Sequence, residues 1–305
     1  MLQYLQLRRH PKIFQAMTGL NVGEFDALLR DARPALAAAD EARLSRPGRR
    51  RAIGAGHPHA LTPRDQVLLT VIWLRRYPTD GVLGYLLGVE ESTVRRVRQR
   101  VVPVLAALGA DTMRLPDPGK WRRPDLAGLL AQTPELAVIV DTFEQAVQRP
   151  KARAAADAWY SGKKKQHTRK IQVAVEATTG RFVDLASDWR GPTSDWRVLT
   201  ESGLLDRLAP QVVVLGDLAY VGLAKAHPGG VTPKRKPRAQ PRPPGDVTAN
   251  QAFARRRVTV EHSIRRVRLF ACVTAPDRHH RVVDGRALAC AGLVNRHLAA
   301  TLSMR

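Results

Sequence analysis

Leu136-Ala137-Val138-Ile139-Val140-Asp141 is a run of five apolar residues closed by a carboxylate. A short run with no polar side, rich in β-branched residues, suits a strand covered on both faces. A second run of this kind, Gln211-Val212-Val213-Val214-Leu215-Gly216, leads into Asp217. Between them, Lys170 to Ala177 sets Ile171, Val173 and Val175 against Gln172, Ala174 and Glu176, the period of a half-buried strand. Thr178-Thr179-Gly180 is a turn, and Arg181 to Ala186 is the return strand of a hairpin. Ser194 to Leu208 reads as a helix carrying Trp196, Leu199, Leu204 and Leu205. Apolar strands around a hairpin and a helix predict a mixed α/β sheet. Helical patterns follow from about Asn250 to Phe270 and from Gly285 to Leu302.

Upstream the pattern is helical. Thr62-Pro63-Arg64-Asp65 opens a helix with a threonine cap and a first-turn proline, and Val67, Leu68, Val71, Ile72 and Leu74 carry it to Tyr77-Pro78. A short helix, Gly81 to Leu87, is followed by the tight turn Gly88-Val89 and a longer helix, Glu90 to Val102, ended near Pro103. Short helix, glycine turn and arginine-studded helix form the layout of a helix-turn-helix. Val94, Val97 and Val101 face its core. Ser92, Thr93, Arg95, Arg96 and Gln99 point outward, and these are residue types that contact base edges or phosphates. Asn21 caps a further helix reaching about Arg43, and Arg46 to Pro58 is a basic loop. Pro116 to Pro124 is a proline-rich linker, and Lys234 to Pro244 reads as a loop. The expected organisation is a helical segment over 1–45, a helix-turn-helix domain over 46–115, a linker over 116–134 and an α/β domain over 135–305.

Charge narrows the partners. The chain has 305 residues, with 50 Lys and Arg against 27 Asp and Glu, a net charge of +23. Such a surface calls for a polyanion, and the runs Arg49-Arg50-Arg51 and Arg255-Arg256-Arg257 favour phosphate, whose oxygens the guanidinium fork matches. Cys272 and Cys290 form no C-x-x-C pair, which argues against structural zinc and a disulfide framework. No apolar run is long enough to span a membrane and the N-terminus lacks a secretory pattern, so the expected location is the cytoplasm, with the nucleoid.

Asp141 and Asp217 each follow a buried strand, and in open α/β sheets such ends converge on a cleft. Paired carboxylates repel, and a divalent cation is the usual reason to hold them together. Glu261 lies in Arg257-Val258-Thr259-Val260-Glu261-His262-Ser263-Ile264-Arg265, at the border of the apolar stripe between Val258 and Ile264. Its alternative role is a salt bridge to Arg265. Lys163, Lys164, Lys165, His167, Arg169 and Lys170 are candidates to hold phosphates, or else a solvated strand edge. Capping explains Asp184, Asp188 and Asp195, with approach to the metal cleft the alternative for Asp195. His279-His280 reads as a surface pair, and Trp159, Trp189 and Trp196 as core.

Taken together, these stretches resemble the DDE-type transposases of the bacterial insertion-sequence group related to the Harbinger elements. The resemblance is carried by Val140-Asp141-Thr142, Tyr160 to Thr168, Gly191-Pro192-Thr193-Ser194-Asp195, Gly216 to Gly222, Thr248 to Phe253, Val260-Glu261-His262 and Asn295-Arg296-His297, in the family's order. Leu61 to Leu105 resembles the helix-turn-helix of these proteins. The resemblance implies a ribonuclease-H-like core and a metal-binding triad of Asp141, Asp217 and Glu261, which are 76 and 44 residues apart. It implies two divalent ions, Mg²⁺ or Mn²⁺, serving DNA strand cleavage and then strand transfer. The partners it implies are double-stranded DNA, as terminal inverted repeats and target, and a dimer or higher assembly on that DNA. Around the glutamate the insertion-sequence signature is Tyr-x2-Arg-x3-Glu-x6-Lys. Arg257 and Glu261 match it, Arg268 stands in the lysine place, Ala254 replaces the tyrosine, and both arginines are expected DNA contacts. The rival readings are a helix-turn-helix regulator with a silent DDE domain and a nuclease that cuts without joining.

Overall fold

A computed structural model of the chain describes residues 2–45, 48, 59–117, 136–238, 241–277 and 285–302. The Arg49-Arg50-Arg51 run, most of the expected linker and His279-His280 lie outside the described residues. The described helices are α1 (Tyr4–Leu7), α2 (Pro11–Thr18), α3 (Val22–Leu44), α4 (Pro63–Arg76), α5 (Asp80–Leu87), α6 (Glu91–Ala110), α7 (Arg153–Trp159), α8 (Asp195–Glu201), α9 (Leu204–Arg207), α10 (Leu223–Ala226), α11 (Pro244–Arg268) and α12 (Gly285–Leu302). The strands are β1 (Ala137–Ala146), β2 (Tyr160–Ser161), β3 (Gln166–Glu176), β4 (Phe182–Arg190), β5 (Val213–Leu215) and β6 (Gly230–Val231). Two compact units result: residues 1–112, 268–275 and 285–305 form one, and residues 113–267 and 276–284 the other.

In the helical unit the caps act as the sequence predicts. Asn21 accepts the Glu24 N–H while the Glu24 carboxylate accepts the Asn21 N–H, a capping box that starts α3. Thr62 caps α4 ahead of Pro63, and Thr79 caps α5. Tyr4, Phe14 and Phe25 form an aromatic cluster with centroids 5.4–6.1 Å apart. The turn from α5 to α6 depends on two glycines. Gly88 takes φ +68°, and a Cβ on Gly84 would meet the Val89 carbonyl oxygen at 2.6 Å. Val94, Val97 and Val101 are buried as expected.

Two features depart from the sequence reading. Helix α6 does not stop at Pro103 but continues to Ala110, because Val104, Leu105 and Gly109 are buried and this half of the helix packs along α12. Helix α12, expected with the α/β domain, is therefore part of the helical unit. At the α6–α12 crossing, a Cβ on Gly292 would lie 2.2 Å from the Gly109 Cα, and the Asn295 side-chain amide donates to Thr112 Oγ1 at 3.1 Å. In an exposed helix, Gly→Ala gains up to about 1 kcal/mol. Here Gly292→Ala forces the two backbones apart, and the expected result is a net loss of about 1–3 kcal/mol, measured by urea unfolding.

In the second unit the strands run β4–β3–β1–β5–β6, with β2 pairing at the start of β3. Strand β1 is antiparallel to β3 and parallel to β5, which makes the mixed, ribonuclease-H-like sheet expected from the sequence. Val138 and Val140 of β1, Ala174 of β3 and Val214 of β5 pack under Leu199, Leu204, Tyr220 and Leu223. Strand β1 does not end at Asp141. It stays paired with β3 as far as Ala146, with Phe143 and Gln145 buried alternately, so Asp141 stands mid-strand. The helix expected over Ser194–Leu208 breaks at Gly203, which takes φ +68°. Helix α11 is held to the β3–β4 turn by Ser263, whose hydroxyl donates to the Gly180 carbonyl at 2.7 Å.

Candidate active site

Strands β1 and β5 pair Val138 with Val214 and Ile139 with Leu215. Two residues beyond that last pair stand Asp141, still within β1, and Asp217, just past the end of β5. Neighbouring strands are separated by about 4.8 Å. Beyond β5 the chain turns tightly, since a Cβ on Gly216 would lie 2.8 Å from the Tyr220 Cβ. Asp217 starts the 3-10 turn Leu218–Tyr220 by accepting the Ala219 N–H at 2.8 Å. Asp141 uses both oxygens: Oδ1 accepts the Thr142 N–H at 2.8 Å, and Oδ2 accepts from Arg257 at 2.9 Å.

Burial pushes the Asp141 carboxyl above its ordinary range. The Arg257 guanidinium and the Thr142 N–H oppose that shift, while the negative charges of Asp217 and Asp195 add to it. The Tyr220 phenol is pushed up as well, first by burial and then by Asp141, Asp195 and Asp217. Its hydroxyl is buried with no hydrogen-bond partner among the described residues. Three aspartates thus bear on one buried phenol.

Asp195 was expected to cap a helix, and it does not. Ser194 caps α8 through the Arg197 N–H, which leaves the Asp195 carboxylate free to turn inward. Its Oδ1 accepts from Lys170 Nζ at 2.6 Å and from Thr142 Oγ1 at 2.7 Å. The signal in the sequence was the adjacent Ser-Asp pair, of which only one residue is needed as a cap. Asp184 and Asp188 do not cap helices either: Asp184 lies 2.8 Å from Arg207, and Asp188, at φ +74°, lies 3.3 Å from Arg169.

Glu261 stands on α11, exposed and without a hydrogen bond or ion pair to any described residue, Arg265 included. The buried stripe of α11 is Val260, Ser263 and Val267, and Val258, expected within the apolar stripe, is 40% exposed. At about 100° per residue, Glu261 lies one turn beyond Arg257 on the same flank of the helix. Of that flank, Arg257 is the residue that reaches Asp141. Among the described residues no three His, Cys, Asp or Glu side chains are grouped to hold a metal ion.

The carboxylates of Asp141, Asp217 and Asp195 act on one another and on the buried Tyr220 phenol, which has no hydrogen-bond partner among the described residues, and carboxylate oxygens are hard donors suited to Mg²⁺ or Mn²⁺. Mg²⁺ commonly takes only one or two protein carboxylates and completes its shell with water and phosphate oxygens, so the residues present fit such an ion.

The basic candidates divide into two groups. Lys163, Lys164 and Lys165 are exposed at the β2–β3 turn, next to His167, whose ring meets Tyr160 edge-on at 5.5 Å. Arg169 and Lys170 are buried, only 3% and 7% exposed, and are spent on Asp188, Asp277 and Asp195 rather than available to phosphate. On α6, Ser92, Arg95, Arg96 and Gln99 are exposed and Thr93 is half-buried. Arg95 pairs with Glu91 at 2.7 Å and Arg96 donates to Ser92 at 2.9 Å, while Gln99 has no partner among the described residues. Arg98 pairs with Asp80 and covers the Trp73 ring at 4.2 Å, so it serves the unit's own packing. Arg268 is exposed at the end of α11, and Trp196 is half-buried against the sheet core.

The family model described as "DDE superfamily endonuclease" matches residues 140–295, and that described as "Helix-turn-helix of DDE superfamily endonuclease" matches residues 59–111. Over 287 residues, 94% of each chain, the sequence is 28% identical to the probable transposase for insertion sequence element IS702 from Microchaete diplosiphon. No solved structure matches the chain. The matched residues contain the sheet, Asp141, Asp217 and α11 in one stretch, and α4 to α6 in the other, and they bear out the family expected from the motifs. The chain belongs to the DDE superfamily endonucleases and carries the helix-turn-helix of that superfamily ahead of its nuclease domain.

Proposed function

We propose that the protein is an insertion-sequence transposase that binds the ends of its element and cleaves and joins DNA strands with two divalent metal ions. The observation that carries this reading is the placement of Asp141 on β1 and of Asp217 just past the end of its parallel neighbour β5, each two residues beyond the Ile139–Leu215 pair, in a chain with a helix-turn-helix and a net charge of +23. Asp141 and Asp217 would hold the metal, with Glu261 as the third ligand. Metal held by these residues would supply activation of a water or a 3′-hydroxyl and charge stabilisation at the leaving oxygen.

The chain's own residues do the rest. Asp195, neutralised by buried Lys170, fixes Thr142 beside Asp141 and so holds the rim of the site. The exposed Ser92, Arg95, Arg96 and Gln99, with half-buried Thr93, face the bases and phosphates of the element end. Lys163, Lys164, Lys165, His167 and Arg268 supply salt-sensitive phosphate contacts near the nuclease domain, each weakened as ionic strength rises. Strand transfer requires two DNA ends together, so the active form is a dimer or higher assembly on DNA.

The test is capture of a labelled element end by a supercoiled plasmid in Mg²⁺. A transposase gives joined products of end and plasmid. Cleaved ends without joined products would identify a nuclease instead, and binding without cleavage a regulator.

A further inference from the structure

Each oxygen of Asp141 already accepts one hydrogen bond. Oδ1 is held by the Thr142 N–H within the strand, and Oδ2 by the Arg257 Nη2 at 2.9 Å. Both side chains of the pair are mostly buried, 16% exposed for Arg257 and 21% for Asp141. Each of these oxygens keeps a second lone pair, but a cation on Asp141 meets the positive Arg257 guanidinium 2.9 Å from Oδ2, and the two charges compete for one carboxylate. The Thr142 N–H is fixed by backbone geometry, whereas the guanidinium ends a flexible side chain.

The pair is also an incomplete one. Arginine usually grips a carboxylate through two nitrogens, but here one nitrogen makes the contact. The buried Nε of Arg257 has no hydrogen-bond partner among the described residues. A buried donor without an acceptor is costly, and a planar fork of donors in a chain this basic is suited to a phosphate. Its neighbours Arg255 and Arg256 are exposed on the same helix, so this helix already presents positive charge to solvent.

We propose that Arg257 is a counter-ion that a divalent cation displaces from Asp141, and that the displaced guanidinium then grips a DNA phosphate, so that metal and DNA bind with positive coupling through this side chain. The inference rests on the reading of Asp141 as a metal ligand. Coupling of this kind is reciprocal: whatever factor metal adds to DNA affinity, DNA adds to metal affinity.

The experiment measures Mn²⁺ binding to the full chain without DNA, from the electron paramagnetic resonance signal of free Mn²⁺, for wild type, Arg257→Gln, Arg257→Lys and Asp141→Asn. With its competitor removed, Arg257→Gln is expected to bind Mn²⁺ about tenfold tighter than wild type. Arg257→Lys, which keeps the charge, is expected to stay near wild type. In a second arm, the affinity for a labelled duplex is measured with and without Mn²⁺. The gain on adding Mn²⁺ should be about fivefold or more in wild type, within the usual range of coupling, and should shrink at least about threefold in Arg257→Gln.

If wild type binds Mn²⁺, loses it in Asp141→Asn, and Arg257→Gln binds no tighter, the displacement is overturned while the metal site stands. An undiminished DNA gain in Arg257→Gln would overturn the phosphate contact. If no protein in the set binds Mn²⁺ although all bind DNA, the metal-site reading itself fails and takes the inference with it. Should Arg257→Gln not fold, a lysine variant that binds Mn²⁺ more weakly than wild type would overturn the displacement by itself.

Discussion

Asp217→Asn is expected to lower DNA strand cleavage by at least about a thousandfold while leaving the protein folded and bound to DNA. A metal clamp supplies several kcal/mol of charge stabilisation in the transition state, and about 4 kcal/mol corresponds to a factor of a thousand. Asparagine is the informative replacement because its Oδ1 can still accept the Ala219 N–H that starts the 3-10 turn, so the local fold keeps its hydrogen bond. Stability should move the other way from activity. The Asp141 carboxyl is raised by burial and by the charges of Asp217 and Asp195, so its folded value lies above its unfolded one. A group shifted in that direction contributes stability at low pH, which is lost as pH rises through the folded value, so at neutral pH the cluster weighs against folding. Removing the Asp217 charge relieves part of that repulsion. Thermal melting at pH 7 in a chelator should show a midpoint equal to or above wild type, and DNA affinity should not fall. A melting point well below wild type would mean that Asp217 is a structural residue.

The second large effect is on stability. Arg169→Met is expected to destabilise the nuclease unit by about 3–5 kcal/mol, the scale on which removing one partner of a buried ion pair strands the other. Asp277 is fully buried and lies 3.3 Å from Arg169, which is 3% exposed and also reaches Asp188 at 3.3 Å. The backbone of Asp277 is tied to the end of β1, through its N–H to the Ala146 carbonyl at 2.9 Å and its carbonyl to the Gln148 N–H at 3.3 Å. Loss of the Arg169 contact at Asp277 therefore loosens the strand that carries Asp141. Against a typical total of about 5–15 kcal/mol, a loss of this size moves the urea midpoint far enough to read directly. A double variant, Arg169→Met with Asp277→Leu, should recover much of the loss, because it removes the buried carboxylate together with the guanidinium that faces it.

What the sequence discloses and what it hides follow a physical line. The two strands and their aspartates are legible because burial on both faces writes a continuous apolar run, and a carboxylate next to such a run is conspicuous. The caps at Asn21 and Thr62 and the glycine turn before α6 are legible because they depend on residues within a few positions of one another. The extension of α6 through Pro103 is not, since it depends on the meeting of Gly109 with Gly292 far along the chain. The same contact explains why α12 joins the helices rather than the sheet. Asp195 is only half legible, because an acidic residue at a helix start has a ready local explanation, and its partners Lys170 and Thr142 lie on strands far from it in sequence. Arg169 and Lys170 look like solvated or phosphate-binding charges in sequence. Their burial depends on acids at 188, 195 and 277 that only the fold brings to them. Glu261 is the reverse case: its place in the motif is clear, while its side chain stands one turn from Arg257, the residue that occupies Asp141.

The central claim is that Asp141 and Asp217 form a metal-dependent centre for cutting DNA. Its most direct test is cleavage of a labelled duplex carrying the element's own end, in Mg²⁺, in Mn²⁺ and in a chelator, by wild type beside Asp141→Ala. The account predicts nicking at the element end by wild type only, and only with metal present. Tight binding by both proteins with no cut in either, or an equal cut by both, would contradict it.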